Sequence, residues 1–344
     1  MHLIVFMDSE SAEMNSVAVL GAGSWGSTLS WLLANAGREV RLWTQDPAKA
    51  ERINSTHLIE RPLKIEIPHQ VIASSDLGES VAGADVILFC CTSQSTRSLA
   101  ERLKPHLNGS KASVIVSAVK GLELSTLKRM SEVISDVIPE LPVCSLSGPN
   151  LAAEILLGLP TASVIACSNI GVALDVQKVV SLPGLRVYSN DDLIGVELGG
   201  TLKNVIAIAA GASDGLHLGS NAKATLLTRG LAEMTRLAVR LGAKPGTLAG
   251  LAGMGDLFAT CAGPNSRNYR LGMEFAQGKQ LEEVLTGLEA IAEGVPTAEA
   301  VCELSKRLGL ELPIAEQVDA ALKGKTTPKG AIMTLMGRPP SSEY

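Results

Sequence analysis

The stretch SVAVLGAGSWGSTLSWLLANAG, residues 16–37, joins a predicted buried strand to a predicted helix that ends at Gly37. Between them, Gly21, Gly23 and Gly26 match the pattern GxGxxG. Such glycines permit a tight turn, the approach of a pyrophosphate to the backbone, and close packing of helix on strand. The free N–H groups at the helix N-terminus then attract the anion. Because strand, turn and helix agree, we predict a dinucleotide-binding site rather than an ordinary glycine turn.

The rest of the first half continues this alternation of strands and helices. Short apolar runs, typical of strands buried on both faces, are mostly separated by segments with helical periodicity. The pattern predicts an α/β domain, a doubly wound Rossmann-type sheet covered by helices on both sides. The direction of the last two strands cannot be read from the sequence. The predicted strands after the first are EVRLWT (39–44), VIAS (71–74), DVILFCC (85–91), ASVIVSAV (112–119), VCSLSG (143–148), TASVIAC (161–167) and LRVYSN (185–190).

After about Asp191 the strand pattern stops and long helical segments follow. No low-complexity linker or internal repeat separates the halves, so the boundary rests on the change of periodicity alone. We predict an N-terminal extension (1–15), a dinucleotide-binding Rossmann domain (16–191) and an all-α substrate domain (192–344). The predicted helices of the last domain lie at about 192–212, 221–241, 266–277, 296–308 and 313–322.

The composition of the 344 residues excludes several classes of protein. With 46% hydrophobic and 19% charged residues, the chain can bury a sizeable core, which argues against disorder. A net charge of -5 gives no electrostatic footprint for nucleic acid or for an anionic membrane. No stretch approaches the apolar length of a membrane span, so we expect no membrane-spanning segment.

The cysteines and the N-terminus bear on the cellular compartment. The six cysteines include no CxxC pair and lie mostly in apolar runs. We therefore expect reduced thiols in a cytoplasmic protein, without a disulfide framework, a zinc site or another metal. The opening MHLIVFMDSESAEMNS lacks a basic start and turns acidic, which indicates a loose extension rather than a signal peptide. Met14 is an alternative start, because the first strand follows it directly.

The end of the second strand leaves the choice between NAD and NADP open. A carboxylate at this position favours the ribose hydroxyls of NAD, and an arginine favours the phosphate of NADP. Thr44 and Gln45 supply neither charge. Arg41 is expected within the strand, and Asp46 is expected in the next turn, as a helix cap.

Two lysines stand out because of where they lie. Lys203 is part of GGTLKNVIAIAAGASDG (199–215), which is apolar on nearly every side, and lysine is almost never fully buried without a partner or a purpose. Its structural alternative is a core-edge lysine whose ammonium reaches water. Lys120, in AVKGLE, follows the fifth strand, and ligands bind at the carboxyl ends of such strands. A solvated loop lysine would give the same pattern.

Three further segments suggest a binding site. LSGPNLAAE places Gly148 and Asn150 after the next strand, where plain turn chemistry explains them equally well. GLAGMGDLFATC is interpreted as a loop that carries Asp256 into a site, or as a flexible connector. GPNSRNYR starts a helix with Arg267 and Arg270 on one face, which suits a phosphate. An exposed basic helix face is the alternative.

Taken in order, these segments resemble the bacterial-type NAD(P)-dependent glycerol-3-phosphate dehydrogenase family. The resemblance covers about residues 16–322 and is most specific around Lys203 and Arg267. It implies an enzyme that interconverts dihydroxyacetone phosphate and sn-glycerol 3-phosphate, chiefly making the latter for phospholipid synthesis, and that forms a homodimer. The segments are GAGSWG, AVKGLE, LSGPNLAAE, VELGGTLKNVIAIAAGASDGL, NAKATLLTRGLAEMTRL, GLAGMGDLFATC, SRNYRLG and IAEGVPTA.

The resemblance also implies residue roles. Lys203 would exchange a proton with the C2 oxygen, since ketone reduction leaves an oxyanion that an adjacent ammonium stabilises and protonates. Lys120 would orient the substrate beside the nicotinamide, and Asp256, Asn204 and Thr260 would support these groups. The implied substrate-binding residues also include Gly148, Asn150, Ser266, Arg267 and Asn268. The implied cofactor-binding residues, besides Gly21, Gly23 and Gly26, are Ser24, Trp25, Gln45, Lys120, Ala152, Arg267, Ile291 and Glu293.

The chain also departs from the family pattern. Gln45 stands where members often carry a basic residue, and Asn150 stands where serine is common. The N-terminal extension has no usable family counterpart. Gly199 and Gly200, one turn before the catalytic lysine, are expected to leave room for substrate and nicotinamide against the helix.

Two other functions are compatible with parts of the sequence. Another dehydrogenase of the same architecture would act on 3-hydroxy acids or sugar acids, but SRNYR and the glycine-rich segment before it favour a small phosphorylated substrate. A nucleotide-sensing or scaffold protein would keep the cofactor fold without turnover. Such a protein would have little reason to retain Lys120, Lys203 and Asp256 together.

Overall fold

The computed structural model describes residues 14–288, 291–340 and 342. Nearly all of the predicted N-terminal extension therefore lies outside the described residues. The chain enters the sheet at once: the backbone N–H groups of Asn15 and Ser16 both donate to Asp85 Oδ2 at 2.9 Å. The first strand is thus fixed at its start by a neighbouring strand's carboxylate.

The strands of the described residues form one eight-stranded sheet and a small two-stranded sheet. They are β1 (Ser16–Leu20), β2 (Glu39–Trp43), β3 (Leu58–Ile59), β4 (Ile65–Glu66), β5 (Ile72–Ser74), β6 (Val86–Phe89), β7 (Val114–Ser117), β8 (Val143–Ser147), β9 (Thr161–Ala166) and β10 (Leu185–Asn190). The large sheet runs β10-β9-β8-β7-β6-β1-β2-β5. Every pair in it is parallel except β8 with β9. The predicted doubly wound sheet is confirmed, and the last two strands are parallel to each other.

Helices cover both faces of this sheet. They are α1 (Ser24–Asn35), α2 (Pro47–Thr56), α3 (Leu77–Val81), α4 (Thr96–Leu103), α5 (Met130–Val137), α6 (Ala152–Leu156) and α7 (Ile170–Val180). Alternate residues of β1 belong to two different apolar cores: Val17 and Val19 to one, Ala18 and Leu20 to the other. Because successive side chains of a strand point to opposite faces, a wholly apolar strand needs helices on both sides.

The second half is helical, as predicted, and surrounds one long central helix. Its helices are α8 (Leu193–Gly215), α9 (Gly219–Arg240), α10 (Pro245–Leu248), α11 (Asp256–Cys261), α12 (Arg267–Ala276), α13 (Leu281–Gly287), α14 (Gly294–Leu308), α15 (Pro313–Leu322) and α16 (Pro328–Met336). The helices α10, α13 and α16 and the β3–β4 hairpin were not predicted. Each is short, so its apolar residues repeat too few times to show a period.

The prediction of a loop at residues 250–256 is wrong. A π-helical turn occupies Leu251–Gly255, and α11 follows it without a break. The glycines permit close packing here, since a side chain at Gly253 would overlap the carbonyl oxygen of Leu248. The segment is therefore a rigid entry to α11 rather than a flexible connector.

Helix α8 corrects another expectation. By length and composition it could cross a membrane, with 23 residues and a mean hydropathy of 1.4 in its most apolar window. That window is 83% buried inside the protein, which is typical of a core helix. Its apolar character is therefore accounted for by the helices packed around it.

Helices α8 and α12 cross in very close contact. A side chain at Gly211 would overlap the carbonyl oxygen of Tyr269, and one at Gly272 would overlap that of Ile208. Two glycines thus let the backbones approach each other. The contact fixes the N-terminal end of α12, which carries Arg267, relative to α8.

Candidate active site

The glycine turn after β1 has the shape of a dinucleotide site. Gly21 has a φ of +126°, and a side chain there would lie 2.7 Å from the carbonyl oxygen of Cys90. A methyl group at Gly26 would overlap the carbonyl oxygen of Gly21. At Gly23, by contrast, a methyl group would have nothing within 4 Å. The outer glycines serve the tight turn and helix packing, and the middle one borders open space.

Two features at the start of α1 suit a cofactor that bears phosphate groups. Gly23 is the N-cap of the helix and supplies no side-chain hydrogen bond to the first turn, which begins at Ser24. The buried indole N–H of Trp25 has no hydrogen-bond partner among the described residues. Unpaired N–H groups at a helix N-terminus suit a pyrophosphate.

The end of β2 carries no charge aimed at the ribose. Gln45 is exposed beyond the strand. Asp46 caps α2, its Oδ1 accepting from the N–H of Ala48 at 3.0 Å. Arg41 lies within β2 and donates to the carbonyl oxygen of Glu79 at 2.6 Å. The expected positions of Arg41 and Asp46 are therefore confirmed.

One carboxylate joins the two lysines that the sequence singled out. Lys203 Nζ, on α8, lies 2.7 Å from Asp256 Oδ1, at the start of α11. Lys120 Nζ, beyond the end of β7, lies 2.7 Å from Asp256 Oδ2. Lys203 also donates to Thr260 Oγ1 at 2.5 Å, and this hydroxyl donates to Asp256 Oδ1 at 3.3 Å. The cluster thus holds two ammonium groups on opposite oxygens of a single carboxylate.

The two ammonium groups differ in exposure. Lys203 is 6% exposed and Asp256 is 2% exposed, whereas the Lys120 side chain is 17% exposed. Desolvation by burial lowers the pKa of Lys120 to about 8; Asp256 raises this pKa and Lys203 lowers it. Lys203 is not a core-edge lysine whose ammonium reaches water. Asp256 and Thr260 hold that ammonium inside the protein.

The turn after β8 completes the wall of the cluster. Lys120 Nζ donates to the carbonyl oxygen of Gly148 at 3.2 Å and to Asn150 Oδ1 at 2.9 Å. The Asn150 amide nitrogen is buried and has no partner within the described residues. A buried donor without a partner is costly, so this amide suits a polar ligand. Ala152 begins α6 just beyond the turn.

The expected role of Gly199 and Gly200 is wrong. A side chain at Gly199 would lie 2.5 Å from the carbonyl oxygen of Ala252, in the π-helical turn. One at Gly200 would overlap Ser147 Oγ and lie 3.5 Å from Lys120 Cδ. Both glycines therefore make room for protein atoms. They bring Lys203, Lys120 and Asp256 together instead of leaving space for a ligand.

The start of α12 gathers most of the predicted phosphate-binding residues. Ser266 caps the helix, its hydroxyl accepting from the N–H of Tyr269 at 3.3 Å. Asn268 Oδ1 accepts from the N–H of Gly294 at 3.0 Å. A side chain at Gly294 would lie 2.8 Å from the carbonyl oxygen of Asn204, which is itself buried on α8. Asn268 therefore lies next to the turn of α8 that carries Lys203 and Asn204.

Arg267 lies at the outer edge of this group. Its Nη1 donates to the carbonyl oxygen of Ile291 at 2.9 Å; burial lowers the pKa of Arg267, and the nearby Glu293 raises it. The Nε of Arg270 is buried without a hydrogen-bond partner among the described residues. The structure thus brings Arg267 close to Ile291 and Glu293, and their contact with the cofactor stays a prediction.

Comparison with known proteins agrees with these features. The model of the NAD-dependent glycerol-3-phosphate dehydrogenase N-terminus matches residues 16–173, and that of the C-terminus matches residues 192–333. The chain belongs to this family. The predicted resemblance is confirmed, and this family member is an NAD(P)-dependent oxidoreductase.

Individual relatives span almost the whole chain. The glycerol-3-phosphate dehydrogenase [NAD(P)+] of Nitratidesulfovibrio vulgaris is 46% identical over 325 residues, which cover 94% of this chain and 98% of the relative. That of Geobacter sulfurreducens is 45% identical, with 94% and 97% covered. The crystal structure of the Coxiella burnetii glycerol-3-phosphate dehydrogenase is 37% identical and superposes with a TM-score of 0.89, covering 94% of this chain and 99% of that one.

A contact between the two halves of this family member, Ser93 with Glu293, was not predicted from the sequence. Ser93, just beyond β6, donates through its N–H to Glu293 Oε1 at 3.0 Å and through its hydroxyl to Oε2 at 2.6 Å. A side chain at Gly121 would overlap Ser93, so the contact lies beside Lys120. The polar segment CTSQS (91–95), at the carboxyl end of β6, is the sequence feature that could have predicted a functional role for Ser93, because ligands bind at such strand ends.

Neither a metal-binding cluster nor a disulfide is found among the described residues. They contain no group of three or more His, Cys, Asp or Glu side chains that could hold a metal ion. All six cysteines are free, and four are buried. The cysteines thus lie where reduced thiols of a folded core are expected.

Proposed function

We propose that the protein interconverts dihydroxyacetone phosphate and sn-glycerol 3-phosphate with NAD(P)H, and that Lys203 is the proton donor and acceptor. The observation that carries this proposal is the Lys203–Asp256–Lys120 cluster at the carboxyl ends of β7 and β8. The glycine turn opens at the same edge of the sheet. A buried ammonium beside a cofactor cradle suits reduction of a ketone.

When bound, the reduced nicotinamide supplies a hydride to the ketone carbon. The ammonium of Lys203 stabilises the oxygen that becomes negative and then gives it a proton. Asp256 and Thr260 hold this ammonium in one place, and Lys120 with Asn150 orients the polar end of the substrate. Asn204, the next residue on α8, supports the substrate hydroxyls.

The phosphate of the substrate is proposed to bind at the start of α12. Arg267 supplies a guanidinium, Asn268 an amide, and Ser266 lies beside them. Anions are favoured at helix N-termini, and a guanidinium fork matches the oxygens of a phosphate. The substrate is thereby held at its charged end, with its ketone at the lysines.

The cofactor is proposed to lie across the glycine turn towards the helical domain. The pyrophosphate faces Gly23 and the first turn of α1, where the Trp25 indole N–H, which has no partner in the described part of the chain, supports a ligand. Other residues proposed to contact the cofactor are Gly21, Ser24, Gly26, Gln45, Lys120, Ala152, Arg267, Ile291 and Glu293.

The experiment that tests the function is the loss of reduced-nicotinamide absorbance with dihydroxyacetone phosphate, with NADH and NADPH in parallel. Oxidation that depends on this substrate supports the proposal. The rival substrates to test are 3-oxo acids and oxidised sugar acids, because another dehydrogenase of the same architecture would act on 3-hydroxy acids or sugar acids. Turnover of an oxo acid alone would overturn the proposal, and cofactor binding without any turnover would favour a nucleotide-sensing protein.

The wider role follows from the product. We infer that sn-glycerol 3-phosphate made here enters phospholipid synthesis, and that the protein works in the cytoplasm, which its free cysteines support. The proposed domains remain 16–191 and 192–344, although Leu122 and Leu127 of the first half pack into the core of the helical half.

We also propose a homodimer. A groove of about 1810 Å³ lies between α8, α9, α15 and α16, and apolar side chains supply most of its lining. Met336 on α16, which lines the groove, is 78% exposed. Apolar surface of this extent is typical of an interface. Sedimentation at micromolar concentration is expected to give the mass of a dimer, and a monomer there would contradict this.

A further inference from the structure

The lysine Lys49 reaches back from α2 into the glycine turn. It lies in the first turn of the helix that follows β2, three residues after the cap Asp46. Its Nζ donates to the carbonyl oxygen of Ala22 at 2.5 Å. Ala22 stands between Gly21 and Gly23, so this ammonium lies directly against the dinucleotide cradle.

The surroundings of Lys49 leave its charge poorly compensated. In the described part of the chain, its hydrogen bond goes to a carbonyl oxygen rather than to a carboxylate. Burial and then the charge of Arg52 lower the pKa of Lys49, Asp46 raises it, and Arg61 and Glu60 have smaller, opposing effects. The Asp46 side chain already caps α2. Arg52 pairs with Glu60 at 4.0 Å, whereas Lys49 forms no ion pair with a carboxylate among the residues that the structure describes.

Lys49 lies between the glycine turn and the end of β2, the region where Rossmann domains bind the adenosine ribose. In Rossmann domains a carboxylate at the end of β2 binds the ribose hydroxyls of NAD, and a nearby cation accommodates the 2′-phosphate of NADP. Here Thr44 and Gln45 supply no charge at the end of β2. Lys49, in the first turn of α2, places an ammonium at this corner, against the carbonyl oxygen of Ala22.

We propose that Lys49 binds the 2′-phosphate of NADP(H) and makes the phosphorylated dinucleotide the preferred cofactor. This inference rests on the proposed function only in assuming that a nicotinamide dinucleotide occupies the cradle. The ammonium keeps its bond to Ala22 and has two further protons for phosphate oxygens. No residue at the end of β2 is then needed to select between the cofactors.

The test compares affinities, not turnover. Dissociation constants of NADPH and NADH are measured by nicotinamide fluorescence for the wild type, Lys49→Met and the control Lys178→Met, whose lysine is an exposed residue of α7. We expect NADPH to bind the wild type more tightly than NADH. Lys49→Met should weaken NADPH roughly ten- to a hundredfold, as for a lost charge-assisted hydrogen bond, and leave NADH within about twofold.

Equal weakening of both cofactors, or no weakening of NADPH, would overturn the assignment. A second readout uses adenosine 2′,5′-bisphosphate and adenosine 5′-phosphate as competitors. Only the bisphosphate should lose affinity in Lys49→Met, and Lys49→Gln repeats the test if the methionine variant does not fold. Binding as predicted without reduction of dihydroxyacetone phosphate would reject the proposed reaction and keep this inference. Reduction of dihydroxyacetone phosphate, together with equal changes in the affinities for NADPH and NADH in Lys49→Met, would reject this inference alone.

Discussion

Lys203 Nζ and Asp256 Oδ1 lie 2.7 Å apart inside the protein, and the other oxygen of that carboxylate is held by Lys120 at the same distance. A buried ammonium is stable only with such a partner, because the protein interior solvates charge poorly. Sharing one carboxylate between two lysines leaves the pair with a net positive charge. That charge faces the space where an anionic substrate and a developing oxyanion are proposed to lie.

Replacing Lys203 by methionine should abolish turnover while the cofactor still binds. The change removes the proton donor but leaves Asp256 paired with Lys120, so the fold should persist. We expect kcat to fall by at least about a hundredfold. Oxidation of NAD(P)H with dihydroxyacetone phosphate measures turnover, and nicotinamide fluorescence measures binding. Wild-type turnover in Lys203→Met would remove this lysine from the mechanism.

The pH profile should report Lys120. Its pKa of about 8 means that the ammonium loses its proton as the pH rises through 8, well below the ordinary 10.5. A neutral amine binds an anionic substrate less well, so kcat/KM should fall above about pH 8. In Lys120→Arg the guanidinium stays charged, and the fall should move to higher pH. An unchanged falling limb in that variant would assign it to another group.

Two glycines of the turn should respond differently to alanine. At Gly23 a methyl group meets nothing within 4 Å, so Gly23→Ala should keep its melting temperature but lose cofactor affinity to steric conflict with the pyrophosphate. At Gly26 a methyl group overlaps the backbone of Gly21, so Gly26→Ala should lose about 1–3 kcal/mol of stability. Thermal unfolding and dinucleotide binding measure the two effects. Equal melting temperatures would refute the packing role of Gly26.

Arg267→Gln should discriminate between substrates. If the guanidinium holds the phosphate, KM for dihydroxyacetone phosphate should rise roughly tenfold or more, while the slow reduction of unphosphorylated dihydroxyacetone should hardly change. Arg307→Gln on α14 is the matched control, since that arginine pairs with Glu303 at 3.2 Å on the surface. Cofactor affinity must be measured in parallel, because Arg267 is also proposed to touch the cofactor. A similar loss with both substrates would place Arg267 outside the phosphate site.

The sequence by itself determined the features that depend only on residues close together along the chain. The order strand, GAGSWG and helix specifies a dinucleotide fold because turn geometry and helix start are local properties. Apolar strands without alternation predicted a sheet covered on both faces, and an ammonium within the apolar segment 199–215 marked Lys203 as exceptional. The ordered motifs were sufficient to identify the family.

Only the tertiary structure decided how the distant pieces meet. Asp256 lies 53 residues from Lys203 and 136 from Lys120 along the chain, so no local pattern could reveal that it bridges them. The same holds for Gly199, which accommodates the Ala252 carbonyl rather than a ligand, and for the bond from Lys49 to Ala22. Local periodicity encodes which face of an element is buried. It does not encode which atoms of another element fill that face, because packing and charge pairing depend on the three-dimensional approach of the elements.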